Sequence, residues 1–291
     1  RQALRMMRRV DKSYRPVVIA RIRLRKYRGG VDRAIRRVPE ALRRDPGFLY
    51  ERLRWRRRKG RDDDAMEILN HPPGDMVRPD LWWRERGIMA RRLLVRGRVS
   101  DAYRVARQNG LTSGAKFASA EWLAGWIALR FLREDKDALA HFQNLFEKVR
   151  TPISRARAAY WAGRAAESLG RPAETARWYG LAAQFGATYY GQLANLRQTE
   201  TARRPLPADP RPTGTEIAAF NRNELVRVVR MLDELDQDDE IGIFVTHLAK
   251  LAKTPGEMVL AGRLALALGR IDLGVRVGRQ AYRAGTPLMQ L

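Results

Sequence analysis

AGRAAESLGR, Ala162 to Arg171, returns as AGRLALALGR, Ala261 to Arg270, and seven of the ten positions are identical. Both copies run from small residues through leucine to Gly-Arg. The same dipeptide closes two earlier helix-like runs, at Gly60-Arg61 and Gly97-Arg98. Gly60 to Gly97 is 37 residues and Gly97 to Gly170 is 73, about two such units, with Arg133-Glu134-Asp135-Lys136 supplying a turn in the gap. A period in the middle thirties, built as helix, short turn, helix, is the mark of an α-solenoid. Glycine after a periodic run predicts a helix end, because the residue there often adopts a left-handed conformation.

Start signals agree with the stops. Thr254-Pro255-Gly256-Glu257 reads as a capping box with proline in the first turn, and Thr151-Pro152 and Arg171-Pro172 also place proline where a helix tolerates it. Few segments alternate like strands, and alanine, leucine and arginine favour helix. The expected fold is all-α: a solenoid, or superhelix, of TPR-like helix pairs followed by a short helical connector. Small residues such as Gly163 and Gly262 are expected where the helices of a pair approach closely. Phe142 and Tyr179 are expected to fill the space against the next pair. ARRPLPADPRPT, Ala202 to Thr213, carries four prolines in twelve residues and reads as a linker. The expected division is a superhelical domain over 1–201 with about five helix pairs, the linker over 202–213, and a connector of about four helices over 214–291.

Composition sets the chemistry. With 45% apolar residues the 291-residue chain should fold around real cores. The absence of cysteine excludes disulfides and thiolate metal sites. Lysine and arginine number 57 against 32 acids, a net charge of +25, and 49 of the 57 are arginine. Such a surface attracts polyanions: nucleic acid, anionic lipid or carboxylate-bearing polymer. The densest stretch is RLRWRRRKGR, Arg52 to Arg61, with seven basic residues in ten around Trp55. It suits an RNA contact, with arginine on phosphate and Trp55 stacking. It equally suits a helix with Leu53 and Trp55 turned inward. Because the surplus charge is spread over the whole chain, the second reading is preferred and nucleic acid is not the expected partner.

No apolar run approaches the ~20 residues that span a bilayer, so no membrane span is expected. The chain opens with Arg1 and shows no signal-peptide pattern, which suggests a removed signal or an internal fragment. His71, His141 and His247 lack metal-ligand spacing, and no phosphate-cradling glycine loop occurs. Neither a metal nor a cofactor is expected. Asp62-Asp63-Asp64 reads as the acidic first turn of a helix, placed at the positive end of its dipole. Glu167-Ser168 looks like a catalytic pair, but its counterparts in the later repeat are Leu266 and Ala267. A position that accepts either glutamate or leucine fits packing better than acid catalysis, which needs a cleft and placed partners.

One stretch resembles a known family. Glu121-Trp122-Leu123-Ala124-Gly125-Trp126-Ile127-Ala128-Leu129-Arg130-Phe131, then His141-Phe142, then Thr151 to Ala165 (TPISRARAAYWAGRA) and Tyr189-Tyr190-Gly191-Gln192-Leu193-Ala194 are similar to the superhelical domain of soluble lytic murein transglycosylases. The likeness is strongest from Ala120 to Ala194 and extends more weakly from about Tyr50; the segment after the linker resembles the family's helical connector. The resemblance implies a periplasmic protein of peptidoglycan turnover, whose parent enzyme cleaves the bond between N-acetylmuramic acid and N-acetylglucosamine. It also implies that catalysis belongs to a separate lysozyme-like domain beyond the connector. That domain carries its own Glu-Ser pair and a Gly-Leu-Met-Gln-Leu motif. Here Pro287-Leu288-Met289-Gln290-Leu291 lacks the leading glycine and lies far from Glu167, so both likenesses read as coincidence. No catalytic residue is therefore expected in this chain. What the resemblance implies for it is a solenoid holding glycan strands for a lysozyme-like module or other cell-wall enzymes. Arginine matches the carboxylates of the peptide stems bidentately, which makes Arg155, Arg157, Tyr160, Trp161 and Arg164 the candidate contacts. Packing between helices is the competing role for Tyr160 and Trp161. A TPR-like scaffold for protein partners and a basic RNA-binding solenoid are the alternative functions.

Overall fold

The computed structural model describes residues 5–198 and 208–289. It is all-α, with sixteen α-helices and no strand among the described residues. They are α1 (Arg15–Lys26), α2 (Val31–Arg36), α3 (Pro46–Arg58), α4 (Asp62–Asn70), α5 (Pro79–Val95), α6 (Val99–Arg107), α7 (Gly114–Ile127) and α8 (Asp135–Lys148). Then come α9 (Pro152–Ser168), α10 (Pro172–Ala183), α11 (Tyr189–Gln198), α12 (Gly214–Arg222), α13 (Glu224–Glu234), α14 (Asp238–Leu251), α15 (Pro255–Ala267) and α16 (Ile271–Ala284). The chain forms two compact units, Arg1–Val149 and Arg150–Leu291. Within each, consecutive helices pack against one another in a solenoid-like order. The segment expected as a linker lies outside the described residues over 202–207; 208–213 contain no helix. Beyond it stand five helices, one more than expected, because Asn223 ends α12 and caps α13 through its side chain. Among the described residues, no helix is long and apolar enough to cross a membrane.

The Gly-Arg turns explain the pairing. Gly60, Gly97, Gly170 and Gly269 all have φ between +66° and +73°, where a β-carbon is costly. Each closes its helix with two reversed bonds. Gly170 donates to Glu167 and Arg171 to Ala166, both at 3.0 Å, and the other three turns repeat the pattern within 0.1 Å. The arginine then serves as N-cap of the next helix, where its carbonyl accepts the first intrahelical bond. A cation sits badly at a helix N-terminus. In each case an acid in the first turn offsets it: Arg61 pairs with Asp64, Arg98 with Asp101, Arg171 with Glu174, and Arg270 with Asp272.

Inside the pairs, glycine meets an aromatic ring. A β-carbon on Gly163 of α9 would lie 2.7 Å from the Tyr179 ring of α10, and one on Gly125 of α7 would lie 2.8 Å from the Phe142 ring of α8. Both aromatics therefore fill space inside their own pair. A ring of that size forces its partner helix to offer a position without a side chain. Replacing Gly163 with alanine should overpack this seam and lower stability by about 1–3 kcal/mol. Thermal unfolding checks it; an unchanged midpoint would mean that the tyrosine side chain has room to swing aside.

The first unit begins on a core of Val17, Ala20, Leu24, Val31, Ala34 and Phe48 from α1 to α3. Asp62, buried at the start of α4, is bridged to Arg92 of α5 and to Arg96, which caps its C-terminus, at 3.0 and 2.8 Å. Asp63 binds Arg98 at 2.6 Å. The acidic first turn is thus a hub of ion pairs between neighbouring pairs. Three arginines of α3 are spent similarly: Arg57 on the buried Glu85, Arg56 on Glu67 and Arg54 on Glu51. Leu53 is buried and Trp55 half-buried, as the packing reading required. In the second unit α13 to α16 enclose Val226, Val245, Val259, Leu273 and Val277.

Candidate functional site

Helix geometry sorts the five candidates on α9. At 100° per residue, Arg157, Tyr160, Trp161 and Arg164 share one face, and Arg155 falls on the opposite side. The structure places the Arg155 guanidinium 5.9 Å from the Phe185 ring, away from the other four.

Tyr160 is the centre of the shared face. Its ring lies 5.9 Å from Trp161, 5.7 Å from Tyr179 of α10 and 5.4 Å from Tyr190 of α11. These are separations at which aromatic quadrupoles attract in tilted and edge-on pairs. Tyr189 continues the group at 5.2 Å from Tyr190 and is 68% exposed, so the cluster runs from the helix seam out to solvent. Tyr160 and Tyr179 are buried, and Trp161 and Tyr190 are half-buried.

The cations border these rings. Burial lowers the pKa of Arg157, with Tyr190 opposing the shift. Burial also works against the charge of Arg164, but a hydrogen bond with Tyr160 and the nearby Glu167 carboxylate outweigh it. Glu167 is bound from three sides: Arg164 at 3.1 Å, Arg197 of α11 at 3.4 Å and the Tyr179 hydroxyl, which donates at 2.9 Å. Burial and this carboxylate push the Tyr179 phenol upward. Glu167 therefore ties α9, α10 and α11 together. Sequence reading had isolated Arg157, Tyr160, Trp161 and Arg164 but not Tyr179, Tyr189, Tyr190 or Arg197 as their neighbours. The signal available was the Tyr189-Tyr190 pair opening a helix.

A second constellation, in the first unit, has the outline of a catalytic relay. The Tyr103 hydroxyl lies 3.2 Å from His141 Nε2, and His141 Nδ1 lies 2.9 Å from Glu121 Oε2. Asn109 and Asn144 donate to the same carboxylate at 3.0 and 3.1 Å. Burial alone would raise the Glu121 carboxyl, but the bonds from His141, Asn144 and Asn109 outweigh it and hold the pKa below its ordinary value. Burial pushes the Tyr103 phenol up to about 12, with Asp137 adding to the shift. A phenol that stays protonated and is only 7% exposed makes a poor nucleophile. The network fastens α6, α7 and α8 to one another.

Beside it, α7 carries Trp122 and Trp126 stacked at 5.8 Å with planes 16° apart, and Phe131 stands edge-on to Trp126 at 5.1 Å. The i, i+4 spacing of the two tryptophans puts them on one helix face. Among the described residues, no group of three or more histidine, aspartate or glutamate side chains is arranged to hold a metal ion. No family model matches the chain, and no curated protein matches it.

Proposed function

We propose that this chain is a glycan-holding solenoid of peptidoglycan turnover, the non-catalytic superhelical portion of a periplasmic lytic transglycosylase. The observation that carries the reading is the cluster on α9 to α11, where aromatic rings extend from a packed seam to the exposed Tyr189 with Arg157 and Arg164 alongside. Sugar rings present apolar C–H faces that lie well on tyrosine and tryptophan. Peptide stems present carboxylates, which guanidinium groups bind with paired N–H donors. The sequence likeness over Ala120–Ala194 points to the same polymer. Glu167, engaged by three partners, serves the scaffold; chemistry on the strand belongs to a lysozyme-like partner module.

Co-sedimentation with purified sacculi over a salt series tests this, with released muropeptides measured in the same supernatants. Retention that weakens with salt, without release, is expected. The double variant Tyr189→Ala, Arg157→Gln removes one stacking ring and one charge-assisted contact, and should weaken retention about tenfold. Release of muropeptides by the chain alone would refute the non-catalytic assignment. Equal retention of variant and wild type would move the binding face elsewhere, and no retention at low salt would favour a scaffold for protein partners.

A further inference from the structure

We propose that the first helix pair carries a separate anion site, built for a diphosphate group. Between α1, α2 and the turn that joins them is a cavity of about 560 Å³. Five cations line it: Lys12, Arg15, Arg23, Arg33 and Arg37, with Pro16 and Ile19 supplying apolar wall and no carboxylate in the lining. None of the five is paired with a carboxylate among the described residues. Elsewhere in this unit Arg54, Arg56, Arg57, Arg92 and Arg104 each find an acid; the five cations of this cavity do not.

Two side chains are already shaped for a ligand. Arg23 is fixed by donating to the Gly29 carbonyl. The Nε of Arg15 is buried with no acceptor in the protein. Asp11, whose carboxylate feels the Arg15 charge, accepts instead from the Ser13 backbone N–H at 2.7 Å and the Ser13 hydroxyl at 2.5 Å. Like charges gathered in one concavity repel, and the repulsion is relieved in proportion to the charge of the anion admitted. A single carboxylate would leave most of it. A diphosphate brings about three negative charges and a set of acceptor oxygens suited to guanidinium forks. The volume falls within the range of small-molecule sites, about 300–1,000 Å³, and well exceeds what one inorganic phosphate fills. The site is distinct from the cluster on α9 to α11, and its existence does not depend on that cluster's role.

Titration calorimetry of the whole chain with inorganic pyrophosphate, phosphate and acetate tests the site. Pyrophosphate should bind at least about tenfold more tightly than acetate, and Arg15→Gln, Arg33→Gln should weaken it by about tenfold or more. The exposed Arg227 and Arg263, both replaced by glutamine, give the same change of net charge far along the sequence and should leave pyrophosphate binding unchanged. Equal affinity for pyrophosphate and acetate, or equal losses in the two double variants, would overturn the proposal as general charge attraction. Flotation with phosphatidylcholine vesicles carrying a diphosphate lipid identifies the source. Flotation competed by pyrophosphate supports a lipid headgroup, and calorimetric binding without flotation supports a soluble diphosphate. Circular dichroism keeps a misfolded variant from being read as a lost site.

Discussion

Glu121→Ala should lower the stability of the first unit by about 3–5 kcal/mol, the largest loss expected from any single substitution described for this protein. Glu121 is 7% exposed and accepts from Asn109, just after α6, and from His141 and Asn144 on α8. Alanine would leave three buried or half-buried polar groups without their acceptor, and each costs more unsatisfied than its bond contributed when made. The pH dependence has a definite sign. The pKa of Glu121 is lower in the folded protein than in the unfolded chain. Its contribution is therefore complete above the unfolded carboxylate value and is lost as pH falls through the folded one. Denaturant midpoints of wild type and Glu121→Gln should differ near pH 7, and the gap should close as the pH falls through the lowered folded-state value. A gap that does not change with pH would show that shape, not charge, is what the site needs.

Arg86→Met should have the opposite effect and raise stability by about 1–4 kcal/mol. Arg86 is 0% exposed, and its one hydrogen bond is from Nη1 to the Val105 carbonyl at 3.2 Å. Its Nε and second terminal nitrogen are buried without acceptors, and no carboxylate pairs with it. Burial draws its pKa down to about 10. The charged form is thus penalised by folding; the penalty is full below pH 10 and shrinks as pH rises from there toward the unfolded value. Methionine keeps much of the length of the side chain and removes the unsatisfied donors. Arg86→Ala should instead destabilise, because it opens a cavity between α5 and α6. Urea unfolding of both variants separates the terms. A methionine variant weaker than wild type would mean that the guanidinium is solvated by water held within the fold.

How much of this could be read from the residues follows from the range of each interaction. The helix ends at Gly60, Gly97, Gly170 and Gly269 were legible, because a left-handed residue after a helix calls locally for glycine. The start at Thr254 was legible too: its hydroxyl caps Glu257 at 3.1 Å, although the Glu257 carboxylate reaches back to the Lys253 N–H at 2.6 Å, not to the cap itself. The full capping box is at Thr213 and Glu216, where proline-rich context drew the eye to a linker. Asn223 carries no local mark that separates a cap from an ordinary polar residue, and the fifth of the last helices depends on it. The Glu121 network joins residues 12, 20 and 23 positions apart on different elements, a spacing with no local signature. Arg86 sits inside Trp82-Trp83-Arg84-Glu85-Arg86, a run with no local mark that separates a buried arginine from an exposed one. The face of α9 that holds Tyr160 could be drawn from helical periodicity. The rings that meet it from α10 and α11 could not.

The Gly-Arg turns also govern how fast this protein can be made. Each ties together two helices that are neighbours in the sequence, so most of the contacts a pair needs lie within a few tens of residues. Closing so short a loop costs little chain entropy, and architectures dominated by such contacts fold orders of magnitude faster than those that wait for distant strands. A nascent chain can complete a pair soon after its second helix leaves the ribosome, before the next pair has been synthesised. With sixteen helices among the described residues and a heavily basic composition in a crowded cell, that early closure limits how long apolar stripes and free arginines stand open to RNA and to one another.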